Sequence, residues 1–316
     1  MYDQNFIGYR PSIVLFGIAV LFCTGLRGQP FEAKKTKAGI EITEHGKKVL
    51  FYQVQPTALD GKYERSGYIH PLYSLDEHVL TEDFPEDHPY HRGIFWAWHQ
   101  IMFNGRQVAD GWTCDSISWD VTKTQIKNGK GSISLVADVL WKAALTDSNR
   151  VPVFREHTSI TVNQSTSQYR AIDFDILLSP LKDNLQIGGS PDYKGYGGFC
   201  LRLKLPADIG FFSADSVVTA KDSAVWAGPW MDFTGSFDGA AFPKSGVAVF
   251  PGDHALSRQW ILRKQKSMQN IVYPGNAAVP VPVKGLRLRY RVLIHKNELS
   301  NIDLENLYNQ YVRDLQ

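Results

Sequence analysis

The stretch Gly131-Ser132-Ile133-Ser134-Leu135-Val136-Ala137-Asp138-Val139-Leu140-Trp141 decides the fold class. Ile133, Leu135, Ala137, Val139 and Trp141 recur at every second position, with Ser134 and Asp138 among the residues between them. Side chains of an extended chain point alternately to two faces, so this period reads as a strand with one face on a core and the other in water. The same rhythm continues outward. Asn128-Gly129 stands just before the stretch, and Asp60-Gly61, Asn104-Gly105 and Pro274-Gly275 punctuate other β-branched and aromatic runs, as the tight turns of hairpins do. Val153 to Val162 and Tyr169 to Leu178 read as further strands on either side of a polar loop, followed by Phe199 to Leu205, Val247 to Phe250 and Leu286 to His295. Helical spacing appears only after Ser300, where Leu304, Leu307, Tyr308, Tyr311, Val312 and Leu315 recur at three- and four-residue steps and Ser300 with Asp303 supplies a capped start. The pattern predicts an all-β fold: a large antiparallel β-sandwich, supersandwich-like, with one C-terminal helix.

With 43% hydrophobic and 21% charged residues among 316, the chain has material for a sizeable core. Its 34 basic and 32 acidic residues are scattered, so no electrostatic footprint for nucleic acid is visible. Arg10 precedes an apolar run from Ser12 to Leu26 that is short for a bilayer span and ends in Thr24, Gly25 and Gly28. It reads as a signal peptide cut after Gly28, leaving residues 29–316 as a single β-sandwich domain, periplasmic or secreted, with no later membrane span. Cys23 raises a lipid anchor as an alternative, against which Phe22 stands where a small residue is needed. Cys114 and Cys200 remain; an oxidising compartment would permit a bond, spacing does not decide whether they meet, and neither sits in a zinc-type motif.

Chemistry is concentrated between His70 and Trp119. His70, His78, His88, His91 and His99 fall within 30 residues, followed or interleaved by Trp96, Trp98, Trp112 and Trp119. In Glu82-Asp83-Phe84-Pro85-Glu86-Asp87-His88-Pro89-Tyr90-His91-Arg92-Gly93 two prolines exclude a regular helix and deny ladder hydrogen bonds, so the run reads as a loop feeding a strand. That strand carries His91, Gly93, Phe95, Ala97 and His99 on one side and Arg92, Ile94, Trp96 and Trp98 on the other. On a straight strand His91 and His99 would stand roughly 26 Å apart. His88, His91 and His99 are candidates for proton transfer, Arg92 for fixing substrate oxygens, and Asp83 and Asp87 for orienting it or binding substrate. Trp96, Trp98 and Trp112 are candidate sugar platforms. The competing reading makes the histidines sheet caps, the carboxylates a solvated loop face and the indoles core. In Phe154-Arg155-Glu156-His157, ionisable residues on both faces make Glu156 and His157 candidates for a second acid–base group. Gly195-Tyr196-Gly197-Gly198 lacks the lysine of a phosphate loop and reads as a bend or a close approach of backbone to ligand, with Tyr196 at its centre. Trp230 and His254 are rim candidates.

Ser66-Gly67-Tyr68-Ile69-His70-Pro71-Leu72-Tyr73, Asp83-Phe84-Pro85 and His88-Pro89-Tyr90-His91-Arg92-Gly93-Ile94-Phe95-Trp96-Ala97-Trp98 resemble a bacterial family of unknown function labelled PmoA, or "methane oxygenase". Gly197-Gly198-Phe199, Trp230-Met231-Asp232 and the strand Leu288 to His295 extend a looser likeness. The resemblance implies a secreted companion of polysaccharide-degrading systems and, more loosely, a supersandwich of the galactose-mutarotase type. The label's literal meaning does not fit, because a methane oxygenase subunit of the membrane type needs several spans of about 20 apolar residues. The expectation is an exported carbohydrate-active enzyme, a hydrolase, lyase or epimerase using histidine acid–base chemistry, with a carbohydrate partner and no cofactor. Two alternatives stay open: a non-catalytic carbohydrate-binding protein, and a metal-dependent hydrolase or oxygenase holding a divalent metal with His88, His91 and Asp83 or Asp87.

Overall fold

A computed structural model describes residues 1–3, 29–146, 149–214, 216–252, 259–296 and 299–316. The apolar run of the expected leader and His254 lie outside these residues. The chain is an all-β antiparallel sandwich with one C-terminal helix. The first sheet has nine strands in the order Phe31–Lys35, Gly39–Glu44, Lys47–Gln53, Tyr68–Leu72, Ile94–Trp98, Gly197–Leu201, Gln269–Val272, Gln259–Ile261 and Val225–Trp226. The second also has nine: Ile117–Gly129, Ser132–Ala144, Arg150–Asn163, Tyr169–Pro180, Leu286–Lys296, Ser245–Pro251, Met231–Gly235, Gly210–Ser213 and Ser216–Val217. A four-stranded sheet that includes Gln100–Phe103 and Arg106–Ala109 continues from the end of strand Ile94–Trp98.

Strand Ser132–Ala144 buries Ile133, Leu135, Ala137, Val139, Trp141 and Ala143 and leaves the residues between them half-exposed, as its period of two requires. Aromatic rings close the space between the sheets: Phe199 stacks on Tyr290 with centroids 4.3 Å apart, Trp96 meets Phe174 at 6.5 Å and Trp98 meets Trp141 at 6.0 Å. Burial of each large apolar side chain contributes roughly 1.5–3 kcal/mol, which makes this interior the main source of stability. Trp96 and Trp98 are therefore core and not sugar platforms. Glu156 is also core. Its Oε2 accepts from the indoles of Trp96 at 2.8 Å and Trp141 at 2.9 Å, and its Oε1 from Thr158 at 2.6 Å. Burial raises the pKa of this carboxyl, opposed by its three donors. It joins the two sheets and has no route to a substrate, which corrects its assignment as an acid–base group.

Helix Asn301–Asp314 begins with the capping box expected of Ser300 and Asp303. Leu304, Tyr308 and Tyr311 pack on the outer face of the second sheet over Trp230 and Phe250. Trp230 is buried there, its indole donating to Glu305 at 2.7 Å, so it forms no part of a ligand rim. Cys114 and Cys200 are unpaired: the Cys114 thiol lies against Arg92 and Cys200 against Asn270. Among the described residues no helix is long and apolar enough to cross a membrane.

Candidate functional site

The outer face of the first sheet is built differently from its inner face. The loop from Thr81 to Gly93 lies across it, laced by backbone bonds from Glu82 to Arg202, from Gly93 to Glu82 and from Arg202 to Gly93. Gly93 permits this lacing, because a Cβ there would stand 1.7 Å from the carbonyl oxygen of Ile69. Two buried arginines from outside the loop hold it. Arg65 pairs with Asp83, donates to the carbonyls of Pro89 at 2.7 Å and His91 at 3.2 Å, and stacks on Phe84 at 3.3 Å. With its other oxygen taken by the Tyr68 hydroxyl at 2.8 Å, Asp83 is a structural anchor and is not free to bind substrate.

Arg202 is the second clamp. It donates through Nε to Glu82 at 2.7 Å, through both terminal nitrogens to Asp87 at 2.7 and 3.1 Å, and through Nη1 to His91 Nδ1 at 3.2 Å. Because a guanidinium only donates, His91 Nδ1 accepts and its proton resides on Nε2. Burial, reinforced by His88 and Arg202, pushes the His91 pKa well below its ordinary value, so the ring is a neutral donor at neutral pH. Asp87 is ionised: burial opposes ionisation, but bonds from Arg202 and His88 hold its pKa at about 2. His88 gives Nδ1–H to Asp87 at 2.6 Å, which turns its Nε2 lone pair outward. The His88 and His91 rings stack 4.7 Å apart and 10° from parallel, with Tyr90 edge-on to both.

Beyond His91 lies Trp112, 2% exposed, whose loop is pinned by Asp110 accepting from the backbone of Trp112 and Thr113, each at 2.9 Å. His91 meets its edge at 6.0 Å, His99 stacks on it at 5.2 Å and Tyr196 tilts against it at 5.4 Å. His99 Nδ1 is bonded to Asp110 at 2.8 Å, a second carboxylate–imidazole dyad. Contact of both His91 and His99 with one indole overturns the straight-strand separation. The strand proper spans only Ile94–Trp98, and the chain turns at both ends. Arg263 donates to the Tyr196 hydroxyl at 2.6 Å, and Lys194 stands 6.0 Å from the Tyr196 ring.

The patch thus gathers His88, Tyr90, His91, His99, Trp112 and Tyr196, and it excludes several expected members. Arg92 is buried between Phe95 and Trp119, its charge centre 4.4 and 4.9 Å from the two rings, and it reaches only backbone carbonyls and the Cys114 sulfur. The guanidinium beside the histidines is Arg202. His157 sits on the outer face of the other sheet, 56% exposed and paired with Asp138. A cleft of about 830 Å³ opens next to the patch and is lined by Glu82, Glu86, Asp87, Arg202, Lys264 and Lys266 among others. Its lining takes in the Asp87–Arg202 pair and none of the patch imidazoles. Among the described residues no three His, Cys, Asp or Glu side chains stand together as metal ligands would.

Arg65, Arg202, Tyr90 and Arg263 were missed by sequence reasoning. Arg202 lies in Leu201-Arg202-Leu203-Lys204-Leu205, whose alternation reads as a strand with a solvated face. Only the loop that covers this strand makes the arginine internal. Residues 39–309 match the model of a family of unknown function, DUF6807. The chain belongs to that family. A search of the curated proteins gives no match. The DUF6807 match takes in most of both sheets and every member of the patch.

Proposed function

We propose that this chain is an exported carbohydrate-active enzyme whose reactive centre is the aromatic patch on the outer face of the first sheet. One observation carries the reading: Asp87, locked by Arg202, orients His88 as a base, and the same Arg202 fixes the stacked His91 as a neutral donor. His88 Nε2 would take a proton from substrate. His91 Nε2–H would bond to an oxygen on which charge develops, a role suited to an imidazole that stays neutral. Tyr90 and Tyr196 present ring faces and hydroxyls to the apolar and polar sides of a pyranose. Export is supported by the leader-like N-terminus, and sugar chemistry by the resemblance to secreted companions of polysaccharide-degrading systems. A row of exposed indoles would favour a binding-only platform; on this face Trp112 is buried, and the exposed Trp226, at 74%, belongs to the edge strand Val225–Trp226.

The test is turnover of xylan, pectin and chitin oligosaccharides and their component sugars by the chain and by His88→Asn. Loss of turnover by about 10²–10⁴-fold with an unchanged unfolding transition is expected. Equal turnover by the variant would remove His88 from the chemistry. Sugar bound and never converted would make the protein a binding module.

A further inference from the structure

The cleft of about 830 Å³ beside the patch takes no part in the proton transfers assigned to the histidines, yet its volume falls in the roughly 300–1,000 Å³ of ligand sites. Three segments line it: the loop through Glu82, Glu86 and Asp87, the stretch from Arg202 to Ala207, and the hairpin tip Lys264-Gln265-Lys266. That tip joins the antiparallel strands Gln259–Ile261 and Gln269–Val272 and is pinned at its base. Gln269, fully buried, accepts from the Arg263 backbone N–H at 2.9 Å and donates to the Arg263 carbonyl at 2.8 Å, and Met268 is buried in the apolar cluster that holds Trp112. The Arg263 side chain ties the same hairpin to the Tyr196 hydroxyl at 2.6 Å and to the carbonyls of Lys221 and Asp222, each at 2.8 Å. Lys264 and Lys266 therefore stand on a turn fastened to the sheet.

The charges of the cleft divide into committed and free ones. Glu82 and Asp87 are neutralised by Arg202, whose Nε and both terminal nitrogens bond to them. Lys264, Lys266 and Glu86 are exposed and have no hydrogen-bond or ion-pair partner among the described residues. Two free cations thus meet one free carboxylate, and the rest of the lining includes Pro85, Leu205 and Ala207. A surplus of one sign in a cleft with apolar walls favours a ligand of the other sign. An inorganic anion would leave most of this volume and its apolar lining unfilled. A chain of sugar acids suits both parts, its carboxylates accepting from the ammonium groups and its C–H faces lying on prolyl and leucyl carbons.

We propose that the cleft binds a uronate-bearing oligosaccharide, with Lys264 and Lys266 as the cations that take its carboxylates. This rests on the reading of the neighbouring patch as a carbohydrate-active centre, and it names the substrate class as an acidic glycan. Asp87 belongs to both places, bonding His88 Nδ1 and lining the cleft, so a chain held there lies against the carboxylate that orients the base.

The experiment is isothermal titration calorimetry of the full chain with tetragalacturonate, with its methyl ester and with xylotetraose. The ester keeps the sugar frame and lacks the charge. Tetragalacturonate is expected to bind at least about tenfold tighter than the ester or the neutral chain, by a margin that shrinks as salt is added. Lys264→Ser and Lys266→Ser should each weaken the acid by about tenfold, and Glu86→Gln should tighten it by about threefold, with the ester unaffected. Far-UV circular dichroism checks that the variants fold. No binding of the acid, equal affinity for acid and ester, or acid binding that survives the double variant Lys264→Ser/Lys266→Ser overturns the proposal. If neutral oligosaccharides are then still converted in a His88-dependent way, the proposed function stands without it. Acid-selective binding that needs both lysines, with no sugar ever converted, upholds the cleft and removes the enzyme.

Discussion

On the outer face of the second sheet Asp138 accepts from His157 Nδ1 at 2.7 Å, and on the outer face of the first Asp87 accepts from His88 Nδ1 at 2.6 Å. The bonds are alike and their surroundings are not. Asp138 and His157 are direct cross-strand neighbours standing in water, and further along the same face the exposed Arg287 reaches Asp175 on the neighbouring strand by a diagonal pair. Such pairs satisfy themselves locally and contribute about 0–1 kcal/mol each. On the first sheet one buried arginine, Arg202, holds Glu82, Asp87 and His91 together. Here one side chain's removal disturbs several others, and that difference separates a solvated ladder from a site.

The largest expected effect comes from deleting the central cation of each face. Arg202→Ala leaves Glu82 and Asp87 without a cation and His91 without its donor, and should lower unfolding stability by on the order of 3 kcal/mol. Arg287→Ala, which removes an exposed pair with Asp175, should cost about 0.5 kcal/mol. Urea unfolding of both variants measures the gap, and equal losses would erase the distinction between the faces.

A smaller effect is the dependence of stability on pH. Burial places the folded pKa of His91 below its ordinary 6.5, so between those two values the unfolded chain binds a proton that the folded chain does not. Stabilisation from this ring is therefore full above pH 6.5 and declines as pH falls through it. His70, lowered chiefly by burial, adds to the same slope. Asp87 contributes only further down: its stabilisation is present above 3.8 and lost toward about 2. Denaturation at pH 7 and pH 5 should show a loss on acidification that shrinks in His91→Gln and persists in His157→Gln. The smallest expected effect is that of His157→Ala, within about 0.5 kcal/mol in stability and without change in turnover. A loss of activity comparable to that of His88→Asn would move the chemistry to the other sheet.

The sandwich was legible because strand Ser132–Ala144 and its neighbours each have one wet and one dry face, and the helix because its cap and its apolar spacing agree. The sorting of His91 and His99 to one side of a strand and Trp96 and Trp98 to the other also followed from the period of two. What the period could not show is which side is covered. Glu156 looks like a surface acid next to Arg155 until two indoles from different sheets are seen to donate to it. Arg92 was expected beside the histidines and Arg202 was not singled out for the same reason: only the packing of the loop decides which guanidinium reaches them.

The missing side chain at Gly93 fixes where change can be tolerated in the loop above it. The main chain is bonded there to Glu82 and Arg202 and passes close over the Ile69 carbonyl, with His91 two positions upstream. Insertions or deletions near Glu86 would be taken up on the solvent side of that fastening and would carry His88 with them while His91 kept its seat. The stack of the two rings is thus a joint between a segment on the solvent side and a footing held by the sheet, and loop length becomes the parameter by which the reach of the base can be retuned without rebuilding the sheet.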